Sequence, residues 1–267
     1  RLMRKHGIKI PVQDVFVTSD IHGHDTELKG LLKSWNPEKE LLLFLGDYCD
    51  RGDDSYGAFL TVKELVEAGK AIAIGGNHEE LFLSFLDAPE TEWQVFYGNG
   101  GEKTIQSFYP GVISPRFSKT PTQWAEMIKK DFAEIVAFLR DLPFYIEMGD
   151  WLFVHAGINP FLMDWRDTSG MHFRWIREMF YLRKNETGKR IMFGHTPIPH
   201  LPYGNGLPMW TNLDQTLFGI DGGMGSNRLL NGVRIQDGEI QEMVVQLFND
   251  DSIVVSKENL FKREILV

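Results

Sequence analysis

Residues 40–57 read ELLLFLGDYCDRGDDSYG. The run Glu40 to Gly46 is continuously apolar after its first residue, with the length and bounding of a buried strand. The chain then crowds Asp47, Asp50, Asp53 and Asp54 around Arg51. An acidic surface turn would do that, and so would a metal site. Upstream, Ile10 to Asp20 (IPVQDVFVTSD) reads as a short strand ending on polar residues. His24 to Trp35 then carries Leu28, Leu31 and Leu32 at helical spacing. Downstream, Ser55 to Gly69 reads as a helix closed by glycine, and Ala71 to Ile74 as another apolar run, ending in Gly75-Gly76-Asn77. Strand, helix, strand, helix, strand is the order of a layered α/β core.

Residues 79–142 are mostly helical in pattern. Thr120 is an N-cap with Pro121 in the first turn, and one helix is expected through TQWAEMIKKDFAEIVAFLRDL. This stretch is expected to be a helical insertion beside the sheet, forming a wall of any site there. Strand-like segments return at Phe144–Glu147, Trp151–Val154, Arg190–Phe193, Thr216–Ile220 and Gly232–Gln236. Gln241 to Val255 alternates like antiparallel strands. With no repeat, low-complexity tract or linker, residues 1–267 are expected to form a single domain.

Lys and Arg number 28 against 37 Asp and Glu, a net charge of −9. That balance argues against a general electrostatic grip on nucleic acid or an anionic membrane. No basic, aromatic-interleaved stretch opposes it. Cys49 is the lone cysteine, so no intrachain disulfide can form, which fits a reducing compartment. No apolar run approaches a membrane span. The basic N-terminal stretch RLMRKHGIKIPVQD has no apolar centre of a secretion signal. A cytoplasmic protein is expected.

Polar residues collect where the apolar runs stop: Asp20 and His22, Asp47, Asn77, His155 and His195, flanked by glycines that permit sharp turns. Ligands in open α/β sheets gather outside the carboxyl ends of strands. Singly, each residue has a plainer reading, a strand-end turn for Asp20 and His22 or a buried core histidine for His155 and His195. Together they offer six nitrogen and oxygen donors, a mix suited to Mn2+, Fe2+ or Zn2+. Six are too many for one open catalytic ion and suit two ions sharing a carboxylate.

The motifs SDIHGH, GDYCDRG, GGNHEE, FVHAG and FGHTP, in this order over residues 19–196, resemble the calcineurin-like metallophosphoesterase superfamily, and within it the bacterial serine/threonine type of the phosphoprotein phosphatase branch. The resemblance implies layered mixed β-sheets flanked by helices. It implies two divalent metal ions, Mn2+ foremost, with iron or Zn2+ as alternatives. Asp20 and His22 would hold the first, Asp47 would bridge, and Asn77, His155 and His195 would hold the second. Asp50 would orient His78 as general acid while a metal-bridging hydroxide attacks phosphorus in line. Arg51 would present a planar fork to phosphate oxygens, helped by the Asn77 amide. The remaining clamp is Arg177 in FRWIREMF, although Arg174 lies three residues away, on the same face if that segment is helical.

The implied substrate is a phosphorylated protein or a small phosphoester. The competing reading is a dinucleoside polyphosphate hydrolase. Symmetrical diadenosine tetraphosphatases usually show alanine at the Asp50 position and G-N-H-D where this chain has GNHE ending on Glu79. A serine alkoxide, a poor leaving group, needs an oriented acid more than a phosphate does, which favours the phosphomonoester. The GGNHE form departs from the R-G-N-H-E of eukaryotic enzymes. A non-enzymatic metal-binding scaffold would be marked by a lost ligand or acid, and none is lost.

Several residues have bland expectations. Asp53 and Asp54 start and cap the next helix, Glu79 is structural or supports the site from behind, and Cys49 is a small apolar filler. His6, His24, His172 and His200 lie on the surface or behind the site. Trp93, Phe96, Tyr97 and residues 98–104 either line a pocket mouth or pack. Asp221, also at a strand end, either supports His195 or makes a turn.

Overall fold

The computed structural model describes residues 7–263. In chain order the first elements are β1 (Ile8–Ile10), β2 (Val15–Thr18), α1 (Asp25–Leu32), β3 (Leu41–Phe44), α2 (Ser55–Glu67) and β4 (Ala71–Ala73). A helical block follows: α3 (Asn77–Asp87), α4 (Pro89–Gly98), α5 (Gly101–Phe108), α6 (Pro115–Ser118), α7 (Pro121–Asp131) and α8 (Ala133–Arg140). Then come β5 (Tyr145–Met148), β6 (Trp151–Val154), α9 (Gly170–Trp175), α10 (Glu178–Tyr181), β7 (Arg190–Phe193), β8 (Trp210–Thr211), β9 (Leu217–Gly219), β10 (Leu229–Gln236), β11 (Glu239–Leu247) and β12 (Ser252–Ser256).

The strands form two six-stranded mixed sheets, ordered β1-β5-β6-β7-β9-β8 and β12-β11-β10-β2-β3-β4. The apolar run at β3 shows why they stack. Leu43 joins Val15, Val17, Ile146, Phe153 and Met192 in the core between the sheets. Its neighbours Leu42 and Phe44 point the other way, onto Leu28, Phe59 and Phe82 of the helices. A strand buried on both faces cannot alternate with polar residues. Each fully buried Leu or Phe contributes about 1.5–3 kcal/mol of transfer free energy. The outer face of the other sheet packs Leu152, Val154, Ile191 and Phe193 against Phe173, Phe180 and Trp210. The result is the layered α/β sandwich expected. None of the described helices is long and apolar enough to cross a membrane.

Three boundaries differ from the sequence reading. Of the strand expected over residues 10–20, Val15–Thr18 form β2, while Ile10 ends β1 in the other sheet. Pro11 has no N–H for a ladder and separates β1, parallel to β5, from β2, parallel to β3. The helix expected from residue 121 breaks at Phe132 into α7 and α8. Its start stands: Thr120 accepts from the Gln123 N–H at 3.2 Å, and Gln123 accepts from the Thr120 N–H at 2.9 Å. The two-residue strand β8 carried no detectable pattern.

Candidate metal centre

The loops after β2, β3 and β4 of one sheet and after β6 and β7 of the other converge at one edge of the sandwich. They bring together Asp20, His22, Asp47, Asn77, His78, His155 and His195, all buried. Sharp turns make this possible. Asp20, His22, Asp47, Asp50, Arg51 and His195 all have φ between 47° and 72°, a left-handed conformation costly for residues with a Cβ. Two glycines allow the loops to touch. A Cβ on Gly76 would lie 2.2 Å from Asp47 Oδ1, and one on Gly194 would lie 2.1 Å from Asp20 Oδ2.

Asp47 is common to two donor groups, one with His22 and His78 and the other with His155 and His195. Its Oδ2 lies 3.6 Å from His22 Nε2 and its Oδ1 3.3 Å from His155 Nε2. Asn77 Oδ1 is 2.9 Å from His155 Nε2. Asp20 Oδ1 is 3.9 Å from His22 Nε2. Its carboxylate is held by the Ser19 hydroxyl at 2.5 Å and the His195 N–H at 3.0 Å. By proximity His78 Nε2, 4.0 Å from Asp47 Oδ2, also faces the first group.

Backbone carbonyls aim the rings. His22 Nδ1 bonds the Cys49 carbonyl at 3.0 Å, and His155 Nδ1 bonds that of Leu45 at 2.7 Å, so each turns Nε2 to the cluster. His195 Nε2 is buried with no hydrogen-bond partner among the described residues. An orphaned imidazole nitrogen amid two carboxylates, an amide oxygen and further imidazoles fits borderline divalent cations.

The electrostatics of the donors follow from their burial and their mutual charges. Burial pushes Asp47 up, but the imidazoles of His155, His78 and His22 outweigh it and hold the carboxyl well below its usual range. Burial, with Asp47 nearby, pushes Asp20 up to about 6. Burial and neighbouring positive charge hold His22 and His195 well below the ordinary histidine value.

Beside the cluster, Asp50 Oδ2 lies 2.6 Å from His78 Nδ1. Burial pulls the His78 imidazole down, but Asp47 and Asp50 outweigh it and raise its pKa. The Arg51 guanidinium spans the two rings, Nη1 and Nη2 each 3.3 Å from His22 Nε2 and His78 Nε2. The arginine ambiguity resolves on backbone geometry. Helix α9 ends at Trp175 and Ile176 is extended, so Arg174 and Arg177 do not share a helical face. Arg174 bonds Glu80 at 2.7 Å and lies over Phe144. Arg177 instead bonds the Thr196 hydroxyl at 3.0 Å, next to His195.

Glu79 supports the site from behind, one of the two roles expected of it. Its carboxylate accepts from the N–H of Asp47 at 2.9 Å, Tyr48 at 2.7 Å and Gly76 at 2.8 Å. Thr104, in the segment left undecided between mouth and packing, donates to Asp50 Oδ1 at 2.6 Å. Phe96 and Tyr97 are packing residues of the helical core. Asp54 caps α2 by accepting the Gly57 N–H at 2.8 Å, and exposed Asp53 pairs with Lys103. Burial pushes the Cys49 thiol far up, so it stays an inert filler. Asp221 accepts from the Gly223 N–H at 2.7 Å, and burial beside Asp20 pushes its carboxyl well up. His200 is exposed, His24 packs on Phe248, and His6 lies outside the described residues.

Comparison with known proteins agrees with this geometry. The chain is 25% identical to serine/threonine-protein phosphatase 1 of Salmonella typhimurium, covering 69% of this chain and 79% of that one. It is 26% identical to the asymmetrical bis(5'-nucleosyl)-tetraphosphatase PrpE of Anoxybacillus flavithermus, covering 73% and 81%. A solved Saccharomyces cerevisiae protein serine/threonine phosphatase, with similarity to human phosphatase PP5, superposes with a TM-score of 0.56 at 14% identity, covering 94% of this chain and 83% of that one. The family model for the calcineurin-like phosphoesterases matches residues 14–224, which contain every residue of the cluster. The chain therefore belongs to the calcineurin-like phosphoesterase family.

Proposed function

We propose that this protein is a dinuclear-metal phosphatase acting on phosphomonoesters, and within that class a cytoplasmic serine/threonine protein phosphatase. The Asp50–His78 contact of 2.6 Å carries the reading. It supplies an oriented imidazole, its pKa raised by Asp47 and Asp50, beside the donor cluster, as the expulsion of an alkoxide requires. Asp20, His22, Asp47, Asn77, His155 and His195 would hold two divalent ions, with Asp47 shared. When bound, those ions supply Lewis acidity toward a phosphoryl oxygen and an acidified water.

The chain's own residues do the rest. Arg51 and Arg177 bind phosphoryl oxygens from two sides, and Asn77 adds an amide N–H. His78 delivers its proton from Nε2 to the leaving oxygen while Asp50 holds Nδ1–H. Residues 1–267 act as one domain, with the block 79–142 as its wall. The net charge of −9 speaks against nucleic-acid or membrane partners.

Similarity to a dinucleoside tetraphosphatase supports a second reading, the hydrolysis of dinucleoside polyphosphates. One experiment separates them. Purified protein with Mn2+ is given a phosphoserine peptide, p-nitrophenyl phosphate and diadenosine tetraphosphate side by side, with phosphate release and chromatography of products. Preferred peptide turnover upholds the proposal, and preferred dinucleotide cleavage replaces its substrate.

A further inference from the structure

Three points of contact seat helix α5 on the loop that carries Asp50 and Arg51. Gly100, just before the helix, has φ +101°, and a Cβ there would lie 2.6 Å from the Arg51 nitrogen. Lys103 pairs with Asp53 at 2.5 Å. Thr104 reaches Asp50. Both Thr104 and Asp50 are 0% exposed, so neither partner is open to bulk solvent.

The bonding leaves the Asp50 carboxylate one orientation. Oδ2 meets His78 Nδ1, while Oδ1 accepts from the Thr104 hydroxyl. The Asp50 N–H donates to Thr104 Oγ1 and to Ser55 Oγ, each at 3.0 Å. Thr104 thus grips both the side chain and the backbone of a residue held at φ +72°. Rotation of the carboxylate away from His78 would break the Thr104 bond as well.

We propose that Thr104 is a positioning residue for the general acid, so that helix α5 of the block 79–142 fixes the His78 imidazole in register with the leaving group through Asp50. This rests on the reading of His78 as the acid. The role is distinct from packing because it predicts which substrates suffer. An acid held out of line costs most where the leaving oxygen is basic and little where it is already a good leaving group.

The test compares Thr104→Val, Thr104→Ser and Asp50→Asn, plus the double variant Asp50→Asn/Thr104→Val, with Mn2+ on phenyl phosphate and p-nitrophenyl phosphate. Metal content and melting temperature are read on each. General acids contribute about 10²- to 10⁴-fold, and loss of orientation forfeits part of that. Thr104→Val is expected to lose roughly tenfold in kcat on phenyl phosphate and under about threefold on p-nitrophenyl phosphate. Thr104→Ser restores both. In the Asp50→Asn background Thr104→Val adds no further loss. Equal losses on the two substrates, or a full additional loss in the Asp50→Asn background, overturn the proposal. If Thr104→Val is insoluble, Thr104→Ala carries the same comparison. Asp50→Asn losing equally on both substrates refutes the acid assignment itself. A wild-type protein with no phosphoester turnover refutes the proposed function and this role with it.

Discussion

Replacing Glu79 by glutamine changes one atom of a carboxylate that ties two strand-end loops together. Oε2 accepts from the N–H groups of Asp47 and Gly76, and Oε1 accepts from that of Tyr48. The amide oxygen of glutamine retains the most by taking the Oε2 place, keeping two bonds. Its NH2 then faces the Tyr48 N–H, donor against donor, in a site where Glu79 is 2% exposed. One charge-assisted bond is lost and a buried N–H is orphaned, at a cost of about 1.5–3 kcal/mol. For a chain of this size each kcal/mol moves the melting temperature by about 2–4 °C, so Glu79→Gln is expected to melt roughly 3–12 °C lower. The displaced group is the backbone of Asp47, so Mn2+ should also stabilise the variant less than the wild type. Thermal unfolding by circular dichroism, with and without Mn2+, measures both effects. Burial and Asp47 push the Glu79 carboxyl up, against the pull of its three N–H donors. An unchanged melting temperature would mean that it is carried protonated, with a hydroxyl already facing an N–H, and the three-acceptor account would fall.

Other expectations follow from the same geometry. Asp47→Asn should bind little Mn2+ by mass spectrometry and lose at least about a thousandfold in turnover, since it removes the shared carboxylate; a fully active variant ends the two-ion reading. Arg177→Ala should raise KM for phosphoesters roughly tenfold with little change in melting temperature, whereas Arg174→Ala should lower the melting temperature and leave KM alone. Glu147 lies 3.0 Å from both Arg166 and Lys189. Burial pushes its carboxyl up, but these cations outweigh it and hold the pKa below the ordinary glutamate value. Its ion pairs therefore stabilise the fold above the unfolded-state pKa of about 4.3, and that contribution fades as pH falls through the lower folded value. Glu147→Gln should melt a few degrees below wild type at pH 7, with the gap closing below about pH 4.

Residues that follow apolar runs were legible, because a strand that stops at glycine announces where its next polar side chains go. The α/β class and the six candidate donors came from that pattern, whereas the layered mixed sheets and the roles of His78 and Arg177 came from the family resemblance. What escaped it depends on contacts across the chain. Thr104 sits 54 residues from Asp50, and Glu79 sits 32 from Asp47, distances over which no local periodicity carries information. The carbonyls of Leu45 and Cys49 that aim the imidazoles are backbone atoms, present whatever the side chain. The break after Trp175 that separates Arg174 from Arg177 has neither glycine nor proline to mark it, and Phe132 divides two helices with equally little warning.

The donor cluster draws Asp20, Asp47 and Asn77 from one sheet and His155 and His195 from the other. The His195 N–H bonds Asp20 across that junction, at a separation of 175 residues. No fragment holding only one sheet carries both halves of the cluster. Ion capture by these donors would therefore require assembly: a nascent or partly melted chain, with its two leaves undocked, offers no complete donor set. Loop closure on this scale comes late in folding. Ions held there would join the two leaves at this edge.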